Sequence, residues 1–250
     1  MLDIIDHGRV REIRLNRAPA NAMNPELVTL LSDKLGKAAD VADAVIVSGR
    51  PGMFSAGLDI PNLIHLDREA LSRAWQTFLQ LLKTIATMPV PTVFALTGHA
   101  PAGGIVIALF GDYRIMAGGN YKIGLNEVQV GLVVSPVIQR ALARLLGPHP
   151  AERILVPGTL LSPDQALDIG LVDELEDDPQ STVSRALAWC EHLLTLPRGP
   201  MLATREMSRR DLHAIFDEAS EYGVEVFVDF WFSETTQGTL RNLLDRLQKK

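Results

Sequence analysis

Three short segments carry residues whose types and spacing could do chemistry. Phe54-Ser55-Ala56-Gly57-Leu58-Asp59-Ile60 comes just after the apolar run Ala44-Val45-Ile46-Val47, and Pro101-Ala102-Gly103-Gly104 follows Thr92-Val93-Phe94-Ala95-Leu96. A glycine where the chain leaves a buried strand and can enter a helix exposes backbone N–H groups that nothing else in the protein uses. Such groups stabilise negative charge as it develops. Two such turns predict an oxyanion hole built from two backbone amides. The third segment, Ile123-Gly124-Leu125-Asn126-Glu127-Val128-Gln129-Val130, places a carboxylate after a short strand and among apolar neighbours. If Glu127 faces an apolar pocket, desolvation raises its pKa toward working pH, as a general base requires. A surface glutamate at the start of a helix is the other reading of the same spacing.

The remaining chemistry-bearing residues give weaker signals. The 6 histidines, His7, His65, His99, His149, His192 and His213, form no H-x-x-x-H pair, so a metal site has no support. His99 lies in the second glycine turn and is read as a hydrogen-bonding residue. Ser55 sits in Gly52-Met53-Phe54-Ser55-Ala56-Gly57, which is not G-x-S-x-G, and is read as a small residue that lets the backbone turn. No G-x-G-x-x-G follows a strand and no Gly-Lys-Ser/Thr occurs, so nucleotide folds are unsupported. Cys190 is the 1 cysteine, which excludes an intramolecular disulfide and is read as an inert thiol. A net charge of −6 with no long Lys/Arg run argues against nucleic acid as a partner. The cluster Arg205, Arg209 and Arg210, broken by Glu206 and Asp211, reads as a solvated helix face. No apolar run reaches about 18 residues, so no membrane span is expected. Met1 to Asp6 has neither a basic flank nor a long apolar region, so no secretory leader is read there. The expected location is cytoplasmic.

The elements that must position these segments follow from periodicity. Residues 2–15 form two apolar stretches around His7-Gly8-Arg9, a hairpin pattern. Asn24-Pro25 opens a helix with Leu27, Leu30, Leu31 and Leu35 on one stripe. Leu71, Trp75, Phe78, Leu79, Leu82 and Ile85 recur at helical spacing until Pro89 and Pro91. Ile105 to Leu109 reads as a short buried helix and Tyr113 to Met116 as a strand. Strand, glycine turn and helix thus occur twice, which is an α/β pattern built through crossovers. Further helices start at Ser135-Pro136, ending at Gly147-Pro148, and at Ser162-Pro163-Asp164-Gln165. Acidic Glu174 to Asp178 with Pro179 reads as a surface loop, and from Ser181 onward the pattern is helical. With 250 residues and 47% hydrophobic content a sizeable core is available. The composition change at Leu196-Pro197-Arg198-Gly199-Pro200 divides the chain into a core, 1–195, and a helical tail, 196–250. In that tail Val224, Val226, Phe227, Val228, Phe230, Trp231 and Phe232 crowd together, as core or as a subunit interface.

These segments, in this order, resemble the crotonase family, the enoyl-CoA hydratase/isomerase superfamily. The likeness begins at Leu15-Asn16-Arg17-Ala18-Pro19-Ala20-Asn21-Ala22-Met23. It continues through Phe54 to Ile60, Pro101 to Arg114, Ile123 to Gly131 and Ser162 to Val172, so it covers nearly the whole chain. The resemblance implies a spiral of ββα units with a C-terminal helical trimerisation region, assembled as a homotrimer or hexamer. It implies an acyl-CoA substrate whose thioester enolate is held by the amides of Leu58 and Gly103, with Glu127 as the acid/base. Ala20, Ala22, Ser55, Ala56, Gly57, Asp59, Ile60, Gly104 and Asn126 would line the substrate's path. The turn near Ala56 would meet the adenine, Asp59 would support the turn or cap the next helix, and a helix from Leu63 to Met88 would shape the acyl pocket. Coenzyme A enters as part of the substrate; no metal and no separate cofactor are implied.

The resemblance also bears on the reaction. Hydratases of the family typically use two glutamates, and the first would fall at Val106, which cannot titrate. The second falls at Glu127. The wording of the first and third segments is most similar to the Δ3,Δ2-enoyl-CoA isomerases, in which one glutamate carries a proton from C2 to C4. Where many relatives carry Lys or Arg for the CoA phosphates, this chain has Ala18-Pro19-Ala20, leaving Arg17 as the nearby cation. Hydration or another reaction of the scaffold is the alternative. A non-catalytic acyl-CoA-binding oligomer is a third reading, whose mark would be a lost Glu127 or a disrupted glycine turn.

Overall fold

The computed structural model describes residues 1–218 and 223–248. The chain opens with a hairpin of β1 (Leu2–His7) and β2 (Val10–Leu15), followed by α1 (Pro25–Ala38). Asn24 caps α1 by accepting a hydrogen bond from the Leu27 amide, with Pro25 at the first helical position. A long strand followed by a short one then recurs: β3 (Ala44–Ser48) with β4 (Gly52–Met53), β5 (Thr92–Leu96) with β6 (Gly98–Pro101), and β7 (Tyr113–Ala117) with β8 (Ile123–Gly124). Each pair leads into helix. After β4 come α2 (Ile60–Leu63) and α3 (Arg68–Ala86), after β6 comes α4 (Gly103–Ala108), and after β8 a 3-10 turn, Glu127–Val130, and α5 (Pro136–Leu146). The chain continues through α6 (Pro148–Leu155), α7 (Pro163–Asp168), β9 (Glu174–Glu176), α8 (Pro179–Leu193) and α9 (Arg198–Ser208). It ends in α10 (Arg210–Glu218), α11 (Gly223–Trp231) and α12 (Glu234–Gln248).

The long strands build one sheet in the order β1-β2-β3-β5-β7-β9, antiparallel between β1 and β2 and parallel elsewhere. The short strands build a second, parallel sheet, β4-β6-β8. Each turn of the chain adds one strand to each sheet and then a helix, which is the ββα spiral. Every residue of β3 and β5 is buried, as expected of parallel strands covered on both faces. On α3, Leu71, Trp75, Phe78, Leu82 and Ile85 are the buried stripe. The main core gathers α1, α3 and α5 with Leu212, Phe216, Phe227, Trp231 and Leu240 of the tail. A smaller cluster lies between the sheet's other face and Ala186 and Cys190 of α8.

Several sequence expectations are corrected. The acidic loop is in part an edge strand: Glu174 in β9 accepts hydrogen bonds from the Tyr113 hydroxyl and Arg185, so its charge is partnered at the sheet's edge. The helix expected from Leu63 to Met88 is divided into α2 and α3, because Asp67 caps a new helix by accepting from the Ala70 amide. Gly147-Pro148 ends α5 and at once starts α6. The basic cluster is not a solvated face. Arg209 is buried and donates to the carbonyls of Ala86 and Phe110, and both Arg205 and Arg209 pair with Asp112. Carbonyls left over where α3 and the turn after α4 end need donors, and a guanidinium supplies several at once. Arg210 alone of the three stays exposed. In the aromatic stretch of the tail, Phe227, Val228 and Trp231 are core while Val226 and Phe230 are exposed. Residues 219–222, 249 and 250, which the helical reading of the tail also covered, lie outside the described residues.

Candidate active site

The first glycine turn is held by a parallel bridge between Met23 and Leu58. The Met23 amide donates to the Gly57 carbonyl (2.8 Å) and the Asp59 amide to the Met23 carbonyl (3.1 Å). Successive amides of an extended chain point to opposite sides. With Asp59 N–H facing Met23, Leu58 N–H faces away from it. Asn21, buried and at φ 51°, organises the loop from behind. Its amide nitrogen donates to the Leu15 and Phe54 carbonyls, and its Oδ1 accepts from the Arg17 amide. Ser55 Oγ donates to the Asn21 carbonyl (2.8 Å) and accepts from the Gly57 amide (3.2 Å), so Ser55 is a brace of the turn. Asp59 caps α2 by accepting from the Asn62 amide and pairs with Arg17 at 2.7 Å. Arg17 also donates to the Ala22 carbonyl, so its guanidinium is engaged by the loop itself.

The second glycine turn meets the first directly. A β-carbon on Gly103 would stand 3.2 Å from the Gly57 α-carbon and 3.3 Å from the Leu58 nitrogen. Ala102, immediately before, adopts φ 48° and ψ −127°, a strained conformation for a residue with a side chain. Its amide donates to the Gly124 carbonyl (2.8 Å), which ties this turn to the strand that leads to Glu127. A β-carbon on Gly104 would lie 2.5 Å from the Ser55 carbonyl oxygen, so this residue, too, has to be glycine for the turns to meet. Among the described residues neither the Leu58 nor the Gly103 amide donates to a backbone carbonyl.

Leu58 and Gly103 both border a cavity of about 140 Å³ whose wall also includes Glu127. The 3-10 turn that begins with Glu127 is held from two sides. Gln129 Nε2 donates to the Gly158 carbonyl (2.8 Å), and Thr236 Oγ1 of α12 donates to the Gly131 carbonyl (2.6 Å). Glu127 Oε2 is buried and has no hydrogen-bond partner among the described residues. Burial pushes its carboxyl from an ordinary 4.5 up to about 7. Glu127 is the sole titratable side chain lining the cavity among the described residues. The arrangement can therefore take a proton from an apolar substrate and hold the resulting negative charge on two amides.

The family model for enoyl-CoA hydratase/isomerase matches residues 6–249. The chain belongs to that family. Human mitochondrial enoyl-CoA delta isomerase 1 is 31% identical over 248 residues, covering 96% of this chain and 81% of the relative. A probable enoyl-CoA hydratase of Mycobacterium tuberculosis, EchA17, is 34% identical over 194 residues, covering 76% of this chain and 73% of the relative. The crystal structure of human mitochondrial delta3-delta2-enoyl-CoA isomerase superimposes with a TM-score of 0.93 at 29% identity, covering 99% of this chain and 98% of that one. An enoyl-CoA hydratase/isomerase from Mycobacterium paratuberculosis shares the fold, with a TM-score of 0.88 at 24% identity over 96% of this chain and 97% of that one.

Of the residues singled out in this crotonase-family chain, Ala56, Leu58, Ile60, Gly103, Asn126 and Glu127 border the cavity. Ala20, Ala22, Ser55, Gly57, Asp59 and Gly104 stand behind it and shape the two turns. His99 accepts a hydrogen bond from the Lys122 amide, a structural role. Burial pushes the Cys190 thiol up to about 12, which keeps it protonated and unreactive. Nothing in the spacing of Asn21 reveals that it braces the first turn. Trp75, Phe78, Phe227 and Leu243, which form much of the apolar wall, were also unassigned. Helical spacing puts Trp75 and Phe78 on one stripe of the helix expected to shape the acyl pocket, without singling them out as its lining.

Proposed function

We propose that this chain is a Δ3,Δ2-enoyl-CoA isomerase that works through one glutamate. The observation that carries the reading is Glu127: burial pushes its carboxyl up to about 7, it is the one titratable side chain in the cavity wall among the described residues, and Val106, buried, stands in the same wall. Ionised Glu127 removes a proton from C2 of a 3-enoyl-CoA. The electron pair moves through the thioester to its oxygen, giving a dienolate. The amides of Leu58 and Gly103 donate to that oxygen; one such donor typically accounts for about 3 kcal/mol of barrier. Glu127 then delivers the proton to C4 as the double bond moves to C2–C3, and the thioester carbonyl re-forms. The product is the conjugated 2-enoyl-CoA, and Glu127 ends as it began. No separate cofactor enters this balance, since coenzyme A is carried by the substrate. Adding water to the product would call for a second acid/base group beside Glu127, and Val106 cannot be one.

The likeness to a probable hydratase favours hydration as the second reading. Parallel assays separate the two. With 3-enoyl-CoA, absorbance of the conjugated thioester should grow; with 2-enoyl-CoA, water addition should be slower by orders of magnitude. Glu127→Gln should lose isomerisation while still binding acyl-CoA. Hydration faster than isomerisation, or full activity in Glu127→Gln, would overturn the reading.

A further inference from the structure

One wall of the cavity is an aromatic stack. Trp75 of α3 and Phe227 of α11 lie face to face, ring centroids 3.8 Å apart and 8° from parallel. Phe78 stacks on the same indole at 5.3 Å. The indole is pinned, since Trp75 Nε1 donates to the Gly223 carbonyl at 3.2 Å. Against the same residues lies a second apolar void of about 10 Å³, bounded also by Met23, Val28, Leu63 and Leu71. Leu58, Trp75, Phe78 and Phe227 border both spaces and stand between them.

From this geometry we infer that the Trp75–Phe227 stack is an acyl-length stop, and that the chain prefers short acyl groups of about six carbons. The inference rests on the acyl-CoA reading above and adds its substrate class. The size argument is direct. An apolar cavity of about 150 Å³ accommodates a six-carbon ring, and this one measures about 140 Å³. The reacting carbons must occupy part of it, because Glu127, Leu58 and Gly103 border the same space. A longer tail meets a packed stack of rings, one held by a hydrogen bond, and moving them exposes core. The small second void is already apolar, so shrinking Phe227 would extend the cavity into a space that suits methylenes.

The test uses the full chain and two readouts. Affinity for saturated acyl-CoAs of four to twelve carbons, measured by calorimetry, should tighten about fourfold per added methylene up to six carbons and then level off. In Phe227→Ala the tightening should continue for two to four more carbons, and the ratio of kcat/KM for ten-carbon over six-carbon 3-enoyl-CoA should rise at least tenfold. Phe227→Leu, which keeps the core better filled, should shift the same ratio in the same direction by a smaller factor. Unchanged length dependence in both folded variants, or wild-type affinity that keeps tightening to twelve carbons, would overturn the length stop. The calorimetric arm needs no turnover, so a failed isomerase reading with an intact length limit is distinguishable from a failed length limit.

Discussion

Gly57 and Gly103 touch through their backbones: a β-carbon on Gly57 would lie 2.9 Å from the Gly103 nitrogen and 3.1 Å from the Ala102 β-carbon. This contact brings Leu58 and Gly103 together in the wall of one cavity. It also makes Gly57 irreplaceable for two separate reasons. Its φ of 87° suits glycine alone, and the added carbon has backbone atoms in its way. Gly57→Ala should therefore spread the two turns and lose one oxyanion donor, lowering kcat by about 100- to 1,000-fold. Circular dichroism should show an intact fold, since the strain is confined to a loop. Wild-type kcat in a folded Gly57→Ala protein would mean that the two amides do not act together.

As the base proposed above, Glu127 would tie catalysis to pH and to stability with opposite signs. Its carboxyl sits at about 7 in the folded chain against an ordinary 4.5, because burial penalises the charge. The base must be ionised, so kcat/KM should rise with pH and level off above about 7. Stability runs the other way. A raised carboxyl contributes fully below the unfolded value, and that contribution is lost as pH rises through the folded value. Across the 4.5-to-7 window the loss amounts to about 3 kcal/mol. Glu127→Gln, neutral at every pH, should be nearly as stable as wild type at pH 5 and more stable by up to that amount at pH 8.5. Urea titrations at the two pH values measure this, and a variant less stable at pH 8.5 would show that the carboxylate is solvated or paired.

What the sequence disclosed and what it hid have physical causes. Gly57, Gly103 and Glu127 were legible because a glycine at the end of a buried strand is a local mark, and so is a carboxylate among apolar neighbours. The long strands β3 and β5 were legible as unbroken apolar runs. β4 was not, since it has a length of 2 residues and shows no period. Arg205 and Arg209 were misread because their partner lies 93 and 97 positions away at Asp112, so the alternation with Glu206 and Asp211 looked like an ordinary solvated surface. Phe227 announced itself as apolar. That it stacks on Trp75 in the cavity wall depends on how the tail folds back on α3, which no local pattern encodes.

That same distant pairing predicts where the fold is most easily broken. Asp112 accepts from Arg205 Nε and Nη2 at 2.8 Å each, from Arg209 Nη1 at 3.0 Å and from the Thr92 amide at 2.7 Å. One carboxylate thus joins α9 and the Arg209 link between α9 and α10 to the start of β5. Burial pushes Arg209 down to about 10 even with Asp112 beside it, so the desolvation of this cation is only partly offset. Asp112→Ala would leave a buried guanidinium without its anion and a strand amide without its acceptor. The expected loss is about 3–5 kcal/mol in urea unfolding. Arg205→Met removes one of the two cations, leaves the Arg209–Asp112 pair in place, and should cost about 1–2 kcal/mol. The ordering of the two variants is the informative result. If Asp112→Ala cost no more than Arg205→Met, Arg209 would have to find another anion or reach water, and the carboxylate would not be what holds the C-terminal helices against the sheet.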